Sequence, residues 1–202
     1  MNIKIFEDWT IAIIAIIVSF FKAFDFFIKR YRINKSKTRL LSFINDSKSC
    51  DFLAKKIIEE DYADRVYIFK GHNSGGNPRL GTPYFVTPSF YYYKKKEFNN
   101  RGERYKNLEV DNYYKDLILN LLNSEDGSIE IIKDNLPENS ILKNIYDLEN
   151  IKYSVIFKLA ITDKEFFYMS ISWNSLPEKH KLLEAKLIAN QITTIYKKHY
   201  KQ

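Results

Sequence analysis

From Trp9 to Phe21 the chain carries no charged side chain, and isoleucine dominates the run. Lys22 and Asp25 interrupt it, and Phe26-Phe27-Ile28 closes it. A helix that crosses a bilayer takes ~20 mostly apolar residues, because the hydrocarbon is ~30 Å thick and each helical residue rises ~1.5 Å. Residues 9–28 reach that length if Lys22 and Asp25 are tolerated. Three apart, these two share a helix face and can pair, and Lys22 stands near one end, where its ammonium can reach the headgroups. Three other readings weigh less. A cleaved signal peptide wants positive charge before the run and small residues after it, whereas Glu7 and Asp8 outweigh Lys4 and the exit is bulky and basic. An interfacial helix wants a wide polar face, and residues 9–21 offer only Thr10 and Ser19. A buried core helix is the third. The expectation is one transmembrane helix over 9–28.

Charge then sets the organisation. The chain is +7 overall, but residues 1–28 carry −1, residues 29–39 carry +6, and the remainder carries only +2. The cluster is Lys29, Arg30, Arg32, Lys35, Lys37 and Arg39, with no acid among them. Each cation near anionic lipid contributes about 1 kcal/mol, so lipid contact accounts for the basicity without nucleic acid. Positive flanks stay in the cytoplasm. This gives a short extracytoplasmic N-terminus (1–8), a basic juxtamembrane segment (29–39) and a cytoplasmic domain (40–202) at the inner membrane. The lone Cys50 forms no internal disulfide, which suits a reducing compartment. Richness in Lys, Asn, Ile and Tyr suggests an AT-rich bacterial or phage source.

Apolar spacing over 39–61 (Leu40, Leu41, Phe43, Ile44, Phe52, Leu53, Ile57, Ile58) predicts a helix. Strands are predicted at 65–69, 84–93, 128–132, 153–161 and 166–173, with helices at 112–122, 139–146 and from Pro177 to His199. Thr162-Asp163-Lys164 joins the last two strands as a hairpin. Helices at both ends of an antiparallel sheet make the fold class α+β.

That order resembles a GAF domain. Ser154-Val155-Ile156 on a strand after a helix, the facing strand 166–173 and the final Leu-Leu…Ala…Ile…Ile helix are similar to the end of that family. Ala63-Asp64-Arg65-Val66-Tyr67-Ile68-Phe69 resembles its first strand, and 65–93, with His72-Asn73 and Gly75-Gly76, is similar to GAF-like proteins of phages and bacteria. The likeness covers about 38–200 and is weakest between 94 and 140. The turn Asp163-Lys164-Glu165 departs from the family's glycine-rich pattern. The resemblance implies a GAF-like antiparallel sheet flanked by helices, and small-ligand sensing or dimerisation rather than catalysis.

Among candidate sites, the loop 70–78 stands out. Successive backbone N–H groups in such a loop can cradle an anion, with His72, Asn73, Gly75 and Gly76 as contributors and Tyr67, Phe69, Tyr84 and Tyr91 as walls. A plain turn that needs positive φ at its glycines is the simpler account. No Gly-Lys-Ser/Thr follows, so it is not a Walker loop. Tyr91-Tyr92-Tyr93-Lys94-Lys95-Lys96 sets rings beside cations, as single-strand nucleic-acid sites do, but alternating strand residues explain it as well. The three histidines are far apart and Cys50 stands alone, so neither a metal site nor a cysteine nucleophile is expected, and no cofactor is implied. The expected function is a membrane-anchored GAF-like sensory or interaction domain that binds a small ligand or dimerises to regulate a partner. The alternative is a phage-encoded inner-membrane effector acting on a host membrane protein.

Overall fold

The computed structural model describes residues 3–73, 83–95, 101–162 and 165–200, with the side chains of 3–18 and of Arg101 outside the description. Two units result, Met1–Ser47 and Lys48–Gln202. The first helix, α1 (Ile3–Glu59), supplies all the described structure of the first unit and opens the second.

In the first unit the described side chains are mostly exposed, including Phe20, Phe21, Phe24, Phe26, Phe27, Tyr31 and Ile33. The expected transmembrane helix over 9–28 finds no support among the described residues. Among the described residues no helix is long and apolar enough to cross a membrane. Lys22 and Asp25 fall within the described part of the span, Lys29, Arg30 and Arg32 follow directly after it, and Asp25 pairs with Lys29 at 2.8 Å rather than with Lys22. The side chains of residues 9–18, the more apolar half of the expected span, lie outside the described residues.

The second unit is a six-stranded antiparallel sheet with helices on both faces. Its strands are β1 (Arg65–His72), β2 (Phe85–Tyr93), β3 (Leu108–Glu109), β4 (Ser128–Ile132), β5 (Tyr153–Ile161) and β6 (Phe166–Trp173), ordered β3-β2-β1-β6-β5-β4. The helices are the end of α1, α2 (Asn112–Asn123), α3 (Ile141–Leu148) and α4 (Lys179–His199). Strands β4, β5 and β6 have the bounds their alternation predicts, and the α+β class holds. The two-residue β3, which pairs with the far end of β2, is too short for any period to announce.

Because successive strand residues point to opposite faces, each strand serves two cores. Val66 and Ile68 of β1, Val155, Phe157 and Leu159 of β5, and Phe167, Met169 and Ile171 of β6 face α1 and α4. The helices meet them with Cys50, Ala54 and Ile57, and with Ala185, Ile188, Ala189 and Ile192, at three-to-four-residue spacing. The small residues let the helix axes approach the sheet, and the isoleucines fill the gaps between them. On the other face Tyr67, Phe69, Ile156, Phe166 and Tyr168 meet Tyr114, Leu117, Ile118 and Leu121 of α2 and Leu142 and Tyr146 of α3. Fully burying one such aliphatic or aromatic side chain stabilises by roughly 1.5–3 kcal/mol.

Asp111 ties α2 to α3. One carboxylate oxygen accepts from the Tyr114 N–H at 2.8 Å and caps α2, and the other accepts from the Ile141 N–H at 2.7 Å in the first turn of α3. Ser140 adds a cap by accepting from the Lys143 N–H. At the far end of α3, Asn150 takes φ +53°, a left-handed value that Asn tolerates, and the Ile151 N–H returns to the Tyr146 carbonyl at 2.8 Å. This reversal turns Glu149 inward.

Candidate ligand cavity

The face covered by α2 and α3 encloses a cavity of about 40 Å3. Tyr67 and Phe69 form one side, Tyr105, Tyr114 and Leu142 another, and Tyr146, Glu149, Ser170 and Ser172 give it a polar end. Drug-sized ligands occupy pockets of roughly 300–1,000 Å3, so this space suits a molecule of a few heavy atoms. It is small because tyrosines fill the face. Tyr67 stacks on Phe69 with ring centroids 5.1 Å apart, Phe69 stacks on Tyr168 at 5.1 Å, and Tyr105 meets Tyr67 edge-on at 5.8 Å. Their hydroxyls bond one another. Tyr114 pairs with Tyr168 at 2.6 Å, and Tyr67 pairs with Tyr93. Burial pushes Tyr114 up to about 12 and Tyr168 higher still.

The polar end is built from the sheet register. Arg65 of β1 lies opposite Ser172 of β6, and Ser172 lies opposite Ser154 of β5, which makes one cross-strand row on this face. Ser154 donates to Ser172 at 2.7 Å, and Ser172 approaches Ser170 at 3.3 Å. Arg65 is 3% exposed and Glu149 2% exposed. Arg65 Nη2 donates to the Glu149 carbonyl at 2.5 Å and to Asn174 Oδ1 at 2.7 Å. The Glu149 carboxylate accepts from the Tyr105 hydroxyl at 2.7 Å. Burial lowers the Arg65 pKa, and the negative charges of Glu149 and Asp64 oppose that shift. Burial and the bond to Glu149 together raise the Tyr105 hydroxyl well above its usual range. Among the described residues three buried side-chain polar atoms have no hydrogen-bond partner: Arg65 Nε, Arg65 Nη1 and Tyr146 Oη. Burial raises the Tyr146 pKa and contact with the Ser154 hydroxyl opposes that shift, although no hydrogen bond of ordinary geometry joins the two.

The residues singled out from sequence divide between the two faces. Tyr67 and Phe69 line the cavity. Tyr91 lies beside Tyr67 at 6.2 Å, and Tyr84 packs at the edge of the same core. Tyr84 and Tyr91 occupy space that glycines leave open, since a Cβ on Gly71 would stand 2.0 Å from Tyr84 Oη and one on Gly102 2.4 Å from the Tyr91 ring. His72 lies opposite Phe85 in the ladder, and strand alternation turns it away from Tyr67 and Phe69. Its Nε2 stands 2.9 Å from Thr87 Oγ1, its ring stacks on Phe85, and burial followed by the nearby Lys70 lowers its pKa. Asn73 ends the described part of the loop, and Gly75 and Gly76 lie outside the described residues. In the tyrosine-lysine run, Tyr93 is buried, Tyr92 donates to Asp51, and Lys94 pairs with Asp61. Among the described residues no group of His, Cys, Asp and Glu is placed to hold a metal ion. The sequence reading missed Arg65, Glu149, Tyr105, Tyr146 and the serines. The period-two serines in Ser170-Ile171-Ser172, on a strand otherwise apolar on both faces, were the available signal.

No family model matches the chain, and no curated protein matches it in sequence. Solved structures do resemble it. The blue-light-absorbing form of the PixJ GAF domain from Thermosynechococcus elongatus superposes with a TM-score of 0.52 at 11% identity, over 79% of this chain and 88% of that one. The photoproduct state of GAF3 of Slr1393 from Synechocystis sp. PCC6803 gives 0.50 at 9% identity, over 76% and 94%. A structure of the cyanobacteriochrome receptor PixJ gives 0.50 at 11%, over 79% and 97%. The chain has a GAF-like fold. Identities this low speak to the fold alone.

Proposed function

We propose that this chain is a sensory module whose GAF-like domain takes up a small molecule on the α2/α3 face and relays its presence to a partner. The observation that carries the reading is the enclosed cavity of about 40 Å3 with a polar end of buried side chains, walled by the tyrosines of the sheet and by α2 and α3. The GAF-like neighbours come from light-sensing proteins, which favours a sensory role. Binding rather than catalysis fits a site whose ionisable groups are engaged with one another. A partner, or a second copy, has an apolar surface to use: Phe52 of α1, and Leu183 and Leu187 one turn apart on α4, are exposed. The test is native mass spectrometry of the full chain purified without denaturation. A stoichiometric mass increment of a small molecule, lost on denaturation, supports the reading. A bare chain that also fails to bind any member of a small-metabolite panel overturns it.

A second reading, contact of the first unit with a lipid surface, is favoured by one observation. Phe20, Phe24, Phe27 and Tyr31 recur at three-to-four-residue spacing and are all more than half exposed, and the six cations of 29–39 follow them. Aromatic rings beside a basic cluster are the chemistry of an anionic headgroup layer. Sedimentation with phosphatidylserine vesicles but not with phosphatidylcholine vesicles supports it, and indifference to both refutes it.

A further inference from the structure

We propose that the row Arg65–Ser172–Ser154, roofed by Tyr146, is the recognition end of the cavity and selects a small molecule that presents acceptor oxygens, a carboxylate or a carbonyl on a body of a few heavy atoms. The inference rests on the ligand-binding reading above and adds the chemistry of the ligand.

Donors outnumber acceptors at this end of the cavity. A guanidinium offers five N–H groups and accepts nothing. Nη2 spends its hydrogens on the Glu149 carbonyl and Asn174, and Nε and Nη1 keep three that meet no acceptor. The Tyr146 O–H is a fourth unused donor, on a residue 3% exposed that lines the cavity. The serine chain runs from Ser154 through Ser172 toward Ser170 and brings hydroxyls, not carbonyls, to the same end. The carboxylate in the wall, Glu149, already accepts from Tyr105. Buried donors left unmade destabilise the fold, so a fold that keeps several around one space is complementary to acceptors. Ser172, Glu149 and Tyr146 line the cavity; Arg65, the cross-strand neighbour of Ser172, stands behind that lining, with its Nη2 on the Glu149 carbonyl. The lining also includes the apolar Phe69, Val86, Leu142 and Ile156, which suit a short hydrocarbon body. Glu149 offsets the charge of Arg65, so a neutral carbonyl and a carboxylate share the required chemistry.

The experiment titrates the full chain with acetate and, separately, with acetamide, followed by ligand-detected NMR, for the parent and for Tyr146→Phe. The proposal expects saturable binding of at least one probe, weakened roughly two- to tenfold by loss of the one hydroxyl. It also expects an unchanged or higher melting temperature for ligand-free Tyr146→Phe, because the deleted group is buried and unpaired. Preference for acetate identifies a carboxylate ligand and preference for acetamide a carbonyl. Arg65→Lys, which keeps the charge but loses the planar edge, should weaken both probes. Absence of saturation by either probe overturns the proposal, with buried waters then satisfying the donors, and so does equal affinity in Tyr146→Phe. Should a co-purified ligand stay at full occupancy in Tyr146→Phe, the sensory reading survives and this assignment of its chemistry fails.

Discussion

Replacing Arg65 by Met is the change whose cost the structure defines best. The side chains have similar length, and Met packs well in irregular interiors, so steric loss is small. What is lost is electrostatic. Two charge-assisted bonds vanish, at 2.5 Å to the Glu149 carbonyl and 2.7 Å to Asn174. Glu149, 2% exposed, then keeps its carboxylate in the interior without the opposing charge of Arg65, while the Tyr105 hydroxyl still donates to it. Breaking a buried charge pair by removing one member costs about 3–5 kcal/mol. Removing the unpartnered Nε and Nη1, two atoms of one guanidinium, returns about 1 kcal/mol of that in all, the low end of the cost of a buried donor left unmade. The net expectation for Arg65→Met is a loss of about 2–4 kcal/mol. For a domain of this size 1 kcal/mol moves the midpoint by about 2–4 °C, so the melting temperature should fall by roughly 4–16 °C. The assay is thermal unfolding by circular dichroism for Arg65→Met, Glu149→Gln and the double variant. Neutralising Glu149 should rescue the Met variant, with a coupling of at least about 1 kcal/mol. An Arg65→Met protein within about 0.5 kcal/mol of the parent, or strict additivity in the cycle, would refute the claim that the pair is buried and mutually dependent.

Other consequences can be checked in the same way. Asp111→Ala uncaps α2 and frees the Ile141 N–H, and should cost about 1–3 kcal/mol in urea denaturation; Asp111→Asn, which keeps one acceptor, should cost less. Asp61 is held down at about 2 by its bond to Lys181 first and by Lys94 second. Its folded pKa therefore lies below the unfolded one near 4, so its contribution is present above about pH 4 and disappears as pH falls toward 2. Asp61→Asn, tolerated at φ +60°, should narrow the parent's stability advantage across that window, by under about 1 kcal/mol for so exposed a pair. Deleting residues 1–37 should leave a cooperative unfolding transition, since every residue of both cores lies at or beyond Cys50; an unfolded product would refute this.

The sequence made the sheet legible because both of its best strands carry the signal that sheets require. Tyr153–Ile161 and Phe166–Trp173 are long and rich in aromatic and aliphatic residues, and only four residues separate them in sequence. The two α4 alanines, Ala185 and Ala189, announced a face that packs closely. The site was less legible because it is made by register rather than by motif. Arg65, Ser172 and Ser154 are adjacent only after β1, β6 and β5 are aligned, and Glu149 joins them only because Asn150 reverses the chain after α3. The Gly-rich loop drew attention through composition, but alternation places His72 across the sheet from Tyr67 and Phe69. The apolar run before Lys22 suggested a span, whereas the described part of α1 carries charge at nearly every turn from Lys22 onward.

The most direct test of the central claim is electron density in the α2/α3 cavity, from crystals of the chain grown without added carboxylates and then soaked in acetate or acetamide. The account predicts an ordered molecule in contact with Tyr146 Oη and Ser170, with Arg65 Nε or Nη1 turned toward one of its oxygens. A cavity that stays dry after both soaks, or one closed by collapse of Tyr105 and Tyr146 onto the serine row, would contradict it.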